Sequence, residues 1–592
     1  EKLNLKVSSF SNALRASAEQ NLAKKEAKIN QNERSEDLKA LFETRQRLKE
    51  EGAYDRAQKM TKQIRNQIRK ETLEKTIRNL EDNLWYDIKK AKASFLPSHT
   101  KLLKEKGEPT TSNERPHILA DHFEKKQWAI NNDRNRETFR HKIFEQEANV
   151  KKDRITTEEV IRTIKKLKNN KSPGPDGIPI EFYKFLEEDC IDIVTDILNH
   201  CWETETMPEE MELAELVTLY KKGNVEDPAN FRPIALLNTL NKMYASIIQK
   251  RLSDGIEDRI WETQFGFRKK KSTSQPLFIT RRLQEQAEST GDKLFLIFLD
   301  WEKAFDKVDQ EMLIEAMTRL NVPTKIINIL KSFYVNPRFR VKDREGKSEY
   351  RRQRAGIRQG CPLSPYLFIC LMSVLFNDVH LEVEGKLLGR THDYFNWWEF
   401  IYADDTMLIG RRAREINILL AAIEKESEKY NLKLNYNKCE YVAMNGKAHI
   451  HFSNGKPMKM VDQATYLGGL ITHDAGRWSE LNHRINKALV TCNKLKTFWY
   501  KTNRSYKWEL QVYNAVIFSQ LTYGLSTLQL TPTMLKRLDA FQMRGLKYIL
   551  KIEHSYYSRI TNEEIYDKIN IILNKGTDIE ITWQEFITAN RF

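Results

Sequence analysis

Hydrophobic positions along this 592-residue chain fall into three regimes. Over residues 1–150 they are sparse: Leu38, Leu41 and Leu48, then Ile64, Ile68 and Leu73, recur at loosely helical spacing among Lys, Glu, Gln, Arg and Asn. That spacing predicts long charged helices, some projecting from the body, and a solvated helical linker would read the same way. From Thr156 the pattern tightens. Thr156 and Glu159 stand as a capping box, Val160, Ile164 and Leu167 share one face, and the helix stops in the turn-forming run Lys171–Gly177. From Glu215 short strands and helices alternate, an α+β pattern, until the strands give out near residue 476. Leu481, Ile485, Ala488, Cys492, Leu495 and Trp499 then predict one amphipathic helix. Residues 508–521 and 535–550 predict two more, so a small helical bundle is expected to end the folded part.

Two strand-like segments carry acidic ends. Leu294–Leu299 reads LFLIFL, a strand buried on both faces, and ends on Asp300. Phe400–Ala403 and Thr406–Ile409 predict a hairpin whose turn is Asp404-Asp405. Turn chemistry prefers a Gly in such a pair, and adjacent carboxylates repel, so a bound cation is one explanation. Three carboxylates on adjoining strand ends suit two Mg²⁺ ions about 3.5–4 Å apart, one activating a 3′-hydroxyl and one holding a triphosphate. A solvated acidic hairpin tip is the plainer alternative.

Charge adds a partner class. The 98 Lys and Arg against 82 Asp and Glu give +16, which points first to a polyanion such as nucleic acid. The six cysteines lie scattered with no CxxC pair, which argues against a zinc site or a disulfide scaffold and for a reducing compartment. Tyr366–Phe376, the longest apolar stretch, is too short to span a bilayer, so no membrane partner is expected. The chain opens on Glu1 without a signal-like segment and is expected to be a piece of something longer.

YADD at Tyr402–Asp405 resembles the metal-binding hairpin of reverse transcriptases, and seven further motifs stand in order around it. Before it come NKSPGPDGI (170–178), FRPIALLNT (231–239), QFGFRKKKST (264–273), LDWEKAFDKV (299–308) and AGIRQGCPLSP (355–365). After it come LNYNKCE (434–440) and YLGGLI (466–471). Together they resemble the polymerases of non-LTR retrotransposons, from about residue 150 to 550.

That resemblance implies a right-hand polymerase: a charged helical N-terminal extension (1–150), fingers (151–290), palm (291–475), helical thumb (476–552) and a tail (553–592). It implies RNA-templated synthesis of DNA. None of the family's nuclease or RNase H segments is recognisable in this chain. Asp300, Asp404 and Asp405 would hold two Mg²⁺, with Mn²⁺ as a substitute, and Lys438 would protonate the leaving pyrophosphate. Lys221 (or Lys222) and Arg232 would grip the triphosphate, Phe305 would exclude a ribose 2′-hydroxyl, and Gln359 and Gly360 would lie against the nucleotide. Tyr402, Tyr466, Leu467 and Gly468 fall to the primer side, and Arg268, Lys269, Lys270 and Lys271 to a template track, or alternatively to a nuclear localisation signal. The implied partners are template RNA, a DNA primer or target, and dNTPs. The implied setting is a cytoplasmic ribonucleoprotein that works in the nucleus by target-primed reverse transcription. A group II intron maturase, a viral RNA polymerase and a domesticated, non-catalytic RNA-binding scaffold are the competing readings.

Overall fold

Every strand among the described residues lies between Leu213 and Thr472. The computed structural model describes residues 2–573 apart from 22–34, 82–84, 93–101, 104–107, 112, 130–140, 344–345, 388–397 and 554. The strands are β1 (Leu213–Tyr220), β2 (Phe231–Leu237), β3 (Leu294–Leu299), β4 (Arg338–Asp343), β5 (Gly346–Lys347) and β6 (Arg351–Arg352). They continue as β7 (Glu399–Tyr402), β8 (Asp405–Gly410), β9 (Glu440–Met444), β10 (Lys459–Met460), β11 (Gln463–Tyr466) and β12 (Gly469–Thr472). One sheet runs β2-β1-β4-β5 with β6 also on β4, a second runs β10-β9-β3-β8-β7, and β11 pairs with β12. The fold is mixed helix and sheet.

The chain divides into two compact units, residues 1–22 with 97–475, and residues 23–96 with 476–592. In the first, β3 sits between antiparallel neighbours β8 and β9 and is buried along its whole length, as a continuous apolar run requires. Helix Ser364–Val383 runs through its core and packs on helices Gln310–Arg319 and Ala413–Lys429. It is the one helix among the described residues long and apolar enough to cross a membrane, and 78% of its most apolar window is buried inside the protein. Arg319 bonds both carboxylate oxygens of Asp378 at 2.6 Å, and Tyr430 closes the same buried cluster at 2.9 Å. Helix Thr157–Lys166 begins at the expected capping box, with both Thr156 and Glu159 bonds formed.

Residues 1–150 are shared between the two units. Helix Lys2–Asn21 packs on helix Glu188–Thr204, and Arg15 donates to the Asp176 carbonyl at 3.0 Å. Leu102, Leu119, Phe123 and Trp128 enter the first unit's core. Helices Glu36–Glu50, Tyr54–Glu81 and Trp85–Lys92 belong to the second unit.

That second unit is helical, with a core of its own that includes Leu80, Ile88, Leu481, Trp499, Tyr513, Leu538 and Ile565. The single helix expected over 481–499 is two, Arg477–Lys494 and Lys496–Lys501, because Leu495 leaves helical geometry at φ −91°, ψ 13°. Folding also continues past 552: helix Asn562–Leu573 buries Ile565 and Ile569, whereas 574–592 lie outside the described residues. Two apolar residues at i, i+4 suffice to dock one helical face.

Candidate active site

The register of β3 on β8 pairs Leu299 with Thr406, which brings Asp300, one residue on, level with Asp405. The junction is braced from both sides. Trp301 Nε1 donates to Thr406 Oγ1 at 3.1 Å, and the Asp300 carbonyl accepts from Asn435 N at 2.7 Å. Lys438, three residues beyond Asn435, reaches Asp300 Oδ2 at 2.9 Å. Asp404 and Asp405 are both solvent-exposed. Surrounding protein still withdraws enough water to raise both carboxyls, Asp405 to about 6, with repulsion from Asp404 and Asp300 adding to it.

The hairpin turn is Ala403-Asp404, not Asp404-Asp405. Tyr402 pairs with Asp405, so Asp405 is the first residue of β8 and Ala403 takes the positive φ of 56°. The reason is a neighbouring segment. Residues 263–265 run beside β7, with Ile401 N donating to Thr263 O at 3.0 Å and Phe265 N to Ile401 O at 2.7 Å. Gln264 Oε1 then accepts from Gly266 N at 2.8 Å and from Ala403 N at 2.9 Å. A Cβ on Gly266 would stand 2.6 Å from Ala403 N, so the contact requires glycine. Sequence reasoning misses the roles of Gln264 and Gly266, although both sit inside QFGFRKKKST.

Cations face the carboxylates. Lys221 follows β1, and Arg232 is exposed on β2 opposite Leu219. Burial lowers the Lys221 ammonium, and Arg232, Lys438 and Lys222 reinforce that while Asp300 opposes it. Arg232 and Lys221 in turn offset part of the rise that burial causes at Asp404. Lys221, Arg232, Lys438 and the three aspartates therefore form one electrostatic neighbourhood. Among the described residues no three His, Cys, Asp or Glu side chains converge as a metal-holding group, and Asp300 is paired with Lys438. The donor set nevertheless fits a divalent cation: hard oxygens whose mutual repulsion such a charge would relieve.

Phe305 is half-buried and stacks on Phe368 with ring centroids 4.4 Å apart at 18°. Its carbonyl accepts from Ile357 N at 2.9 Å, joining it to the segment that carries Gln359 and Gly360. Gln359 O accepts from Ala235 N on β2 at 2.7 Å. Gly360 has φ +123°, and a Cβ there would lie 2.3 Å from the Ala235 carbonyl oxygen.

The remaining expected residues are more dispersed. Tyr466 is buried beside Phe298, and Leu467 and Gly468 form a two-residue turn with φ 46° and 77°, the double left-handed geometry of a type I′ hairpin. Tyr402 is half-buried on β7. In the basic run, Arg268 is spent on Glu257 and on the carbonyls of Trp261 and Gln264, and Lys269 pairs with Asp254. Lys270 is exposed, and Lys271 lies 5.1 Å above the Phe265 ring.

Residues 220–471 match the family described as reverse transcriptase (RNA-dependent DNA polymerase). The chain carries a reverse transcriptase domain. It is 30% identical over 295 residues to the probable RNA-directed DNA polymerase from transposon BS of Drosophila melanogaster, covering 48% of this chain and 31% of that protein. To the probable RNA-directed DNA polymerase from transposon X-element of the same fly it is 25% identical over 437 residues, 70% of this chain and 46% of the relative. The chain thus spans less than half the length of these curated relatives. A telomerase from Candida albicans, solved with a fragment of telomeric RNA, aligns over 65% of this chain and 69% of that one at 13% identity and a TM-score of 0.35. The reverse transcriptase domain takes in every expected site residue, from Lys221 to Leu467 and Gly468.

Proposed function

We propose that this chain polymerises DNA on an RNA template from a DNA 3′-hydroxyl, with fingers over 151–290, palm over 291–475 and thumb over 476–552. The observation that carries the reading is the strand register that levels Asp300 with Asp405 while Lys221, Arg232 and Lys438 lie within electrostatic reach.

Asp300, Asp404 and Asp405 would hold two Mg²⁺ ions, for which Mn²⁺ would substitute. Such ions lower the pKa of the attacking hydroxyl and neutralise charge on the transferring phosphoryl group. The chain's own residues do the rest. Lys221 supplies a point charge and Arg232 a fork of donors to the triphosphate. Lys438 stands ready to leave Asp300 and give a proton to the departing pyrophosphate. Phe305, held flat against Phe368, excludes a 2′-hydroxyl. Gly360 lets the chain pass close to β2, so that Gln359 and the Lys221–Arg232 hairpin face one nucleotide. Tyr402, Tyr466, Leu467 and Gly468 support the primer end, Tyr466 from within the core. Lys270 and Lys271 are the members of the basic run best placed to follow a template backbone. The setting is target-primed synthesis on nuclear DNA, reached from a cytoplasmic ribonucleoprotein.

Primer extension on an annealed RNA template with Mg²⁺ tests the reading. Asp404→Asn should lower the rate by at least about a hundredfold with template affinity retained, since transition-state charge stabilisation is lost. Parental activity in the variant would refute the assignment.

A further inference from the structure

Asp306 follows the sugar-facing Phe305 and is buried to 6% exposure, yet it belongs to none of the groups assigned above. Three donors converge on its carboxylate. Trp128 Nε1 reaches Oδ1 at 3.3 Å, Gln359 Nε2 reaches Oδ2 at 3.1 Å, and the Gln127 side chain bonds to the same group. Gln127 Oε1 in turn accepts from Lys303 Nζ at 3.2 Å. Gln127 and Trp128 lie about ninety residues before the matched domain, at the end of a π-helical turn, Phe123–Gln127, where Trp128 N bonds Phe123 O at 2.8 Å. Such turns are rare and concentrate at functional sites. Trp128 is itself locked edge-on against Phe339, ring centroids 4.8 Å apart.

The chemistry of this cluster is directional. Burial pushes the Asp306 carboxyl up, and the Trp128 and Gln127 hydrogen bonds with the charges of Lys303 and Arg232 oppose that; with Asp306 accepting from all three donors, Gln359 turns its NH₂ group toward it and its carbonyl oxygen away. A neutral amide at 306 would accept either orientation. We infer that Asp306, held by Gln127 and Trp128, is a positioning residue that fixes the orientation of the Gln359 amide, so that an acceptor oxygen rather than a donor is presented to the incoming nucleotide. This rests on the polymerase reading above. It also makes residues 127–128 part of the nucleotide site, although they precede the polymerase motifs.

The test is single-nucleotide incorporation by the full chain on a DNA primer annealed to RNA, with kcat, the dNTP KM and the primer–template Kd measured separately. Asp306→Asn should raise the dNTP KM about tenfold, the size of one lost hydrogen bond to a charged group, with primer–template Kd unchanged. Trp128→Phe keeps an aromatic ring between Phe123 and Phe339 but removes the Nε1 donor, and should shift KM the same way by roughly threefold. A double-mutant cycle isolates the mechanism. In a Gln359→Ala background both substitutions should lose their effect on KM, because the amide they position is gone. Multiplying effects, or a parental KM in both single variants, would overturn the inference while leaving the polymerase reading intact. A parent chain that incorporates no nucleotide would overturn that reading, and this inference with it.

Discussion

Glu509 offers the sharpest quantitative test of the second unit's packing. It lies on helix Tyr506–Val512 with 0% exposure, and neither carboxylate oxygen has a hydrogen-bond partner. Burial lifts its carboxyl from 4.5 to about 7, with Lys551 only partly opposing. A raised carboxyl pKa means that the folded state holds its proton where the unfolded state has released it. Stability should therefore fall as pH rises from about 4.5 and level off above about 7. A rise of that size corresponds to roughly 3 kcal/mol in full, of which about 2–3 kcal/mol should develop between pH 5 and pH 8. Glu509→Gln keeps the shape and removes the ionisation. Its melting temperature relative to the parent should rise by roughly 5–10 °C more at pH 8 than at pH 5, for a unit of this size. Calorimetry of the full chain at the two pH values is the assay. An advantage for Gln that is equal at both would show that the carboxylate is solvated or paired in solution, and the burial argument would fail.

Three further outcomes are expected at the candidate site. Phe305→Val should raise kcat/KM for ribonucleotides relative to deoxyribonucleotides, and an unchanged ratio would leave Phe305 a core residue stacked on Phe368. Gly360→Ala should cut nucleotide incorporation at least about tenfold and lower the melting temperature as well, since its Cβ would stand 2.3 Å from the Ala235 carbonyl and force the Gln359 segment off β2; parental kinetics would sink that view. Changing Lys270 and Lys271 to Ala should flatten the salt dependence of RNA affinity, whereas Lys269→Ala, already paired with Asp254, should not; the reverse result would put the template elsewhere.

Features set by neighbours in sequence are legible in the sequence itself. The capping box at Thr156 and the buried strand Leu294–Leu299 depend on spacing alone, and both form where that spacing puts them. The position of Asp300 directly after that strand is legible in the same way. What escapes depends on partners far away in the chain. The hairpin turn shifts by one residue because Thr263 and Phe265 bond Ile401 and fix where pairing ends. The basic run is uniform in sequence, yet Arg268 is drawn inward by Glu257, which charge counting does not reveal. Leu119, Phe123 and Trp128 are too sparse among charged residues to announce a buried segment, and Trp128 finds Asp306 178 residues away.

The Gln264 amide shows why the hairpin is anchored by a neutral group. Its oxygen takes both the Gly266 and Ala403 N–H groups, while its buried Nε2 has no partner at all. A glutamate would make the same two bonds and leave its second oxygen in the place of the unpartnered nitrogen. It would also set a fourth negative charge behind Asp404 and Asp405, whose carboxyls already resist ionisation. Position 264 is thus caught between two demands, an acceptor for the backbone and no charge for the carboxylates. Glutamine meets both and leaves one amide nitrogen unsatisfied, a local frustration that keeps the negative charge in front of the hairpin, where a cation can use it.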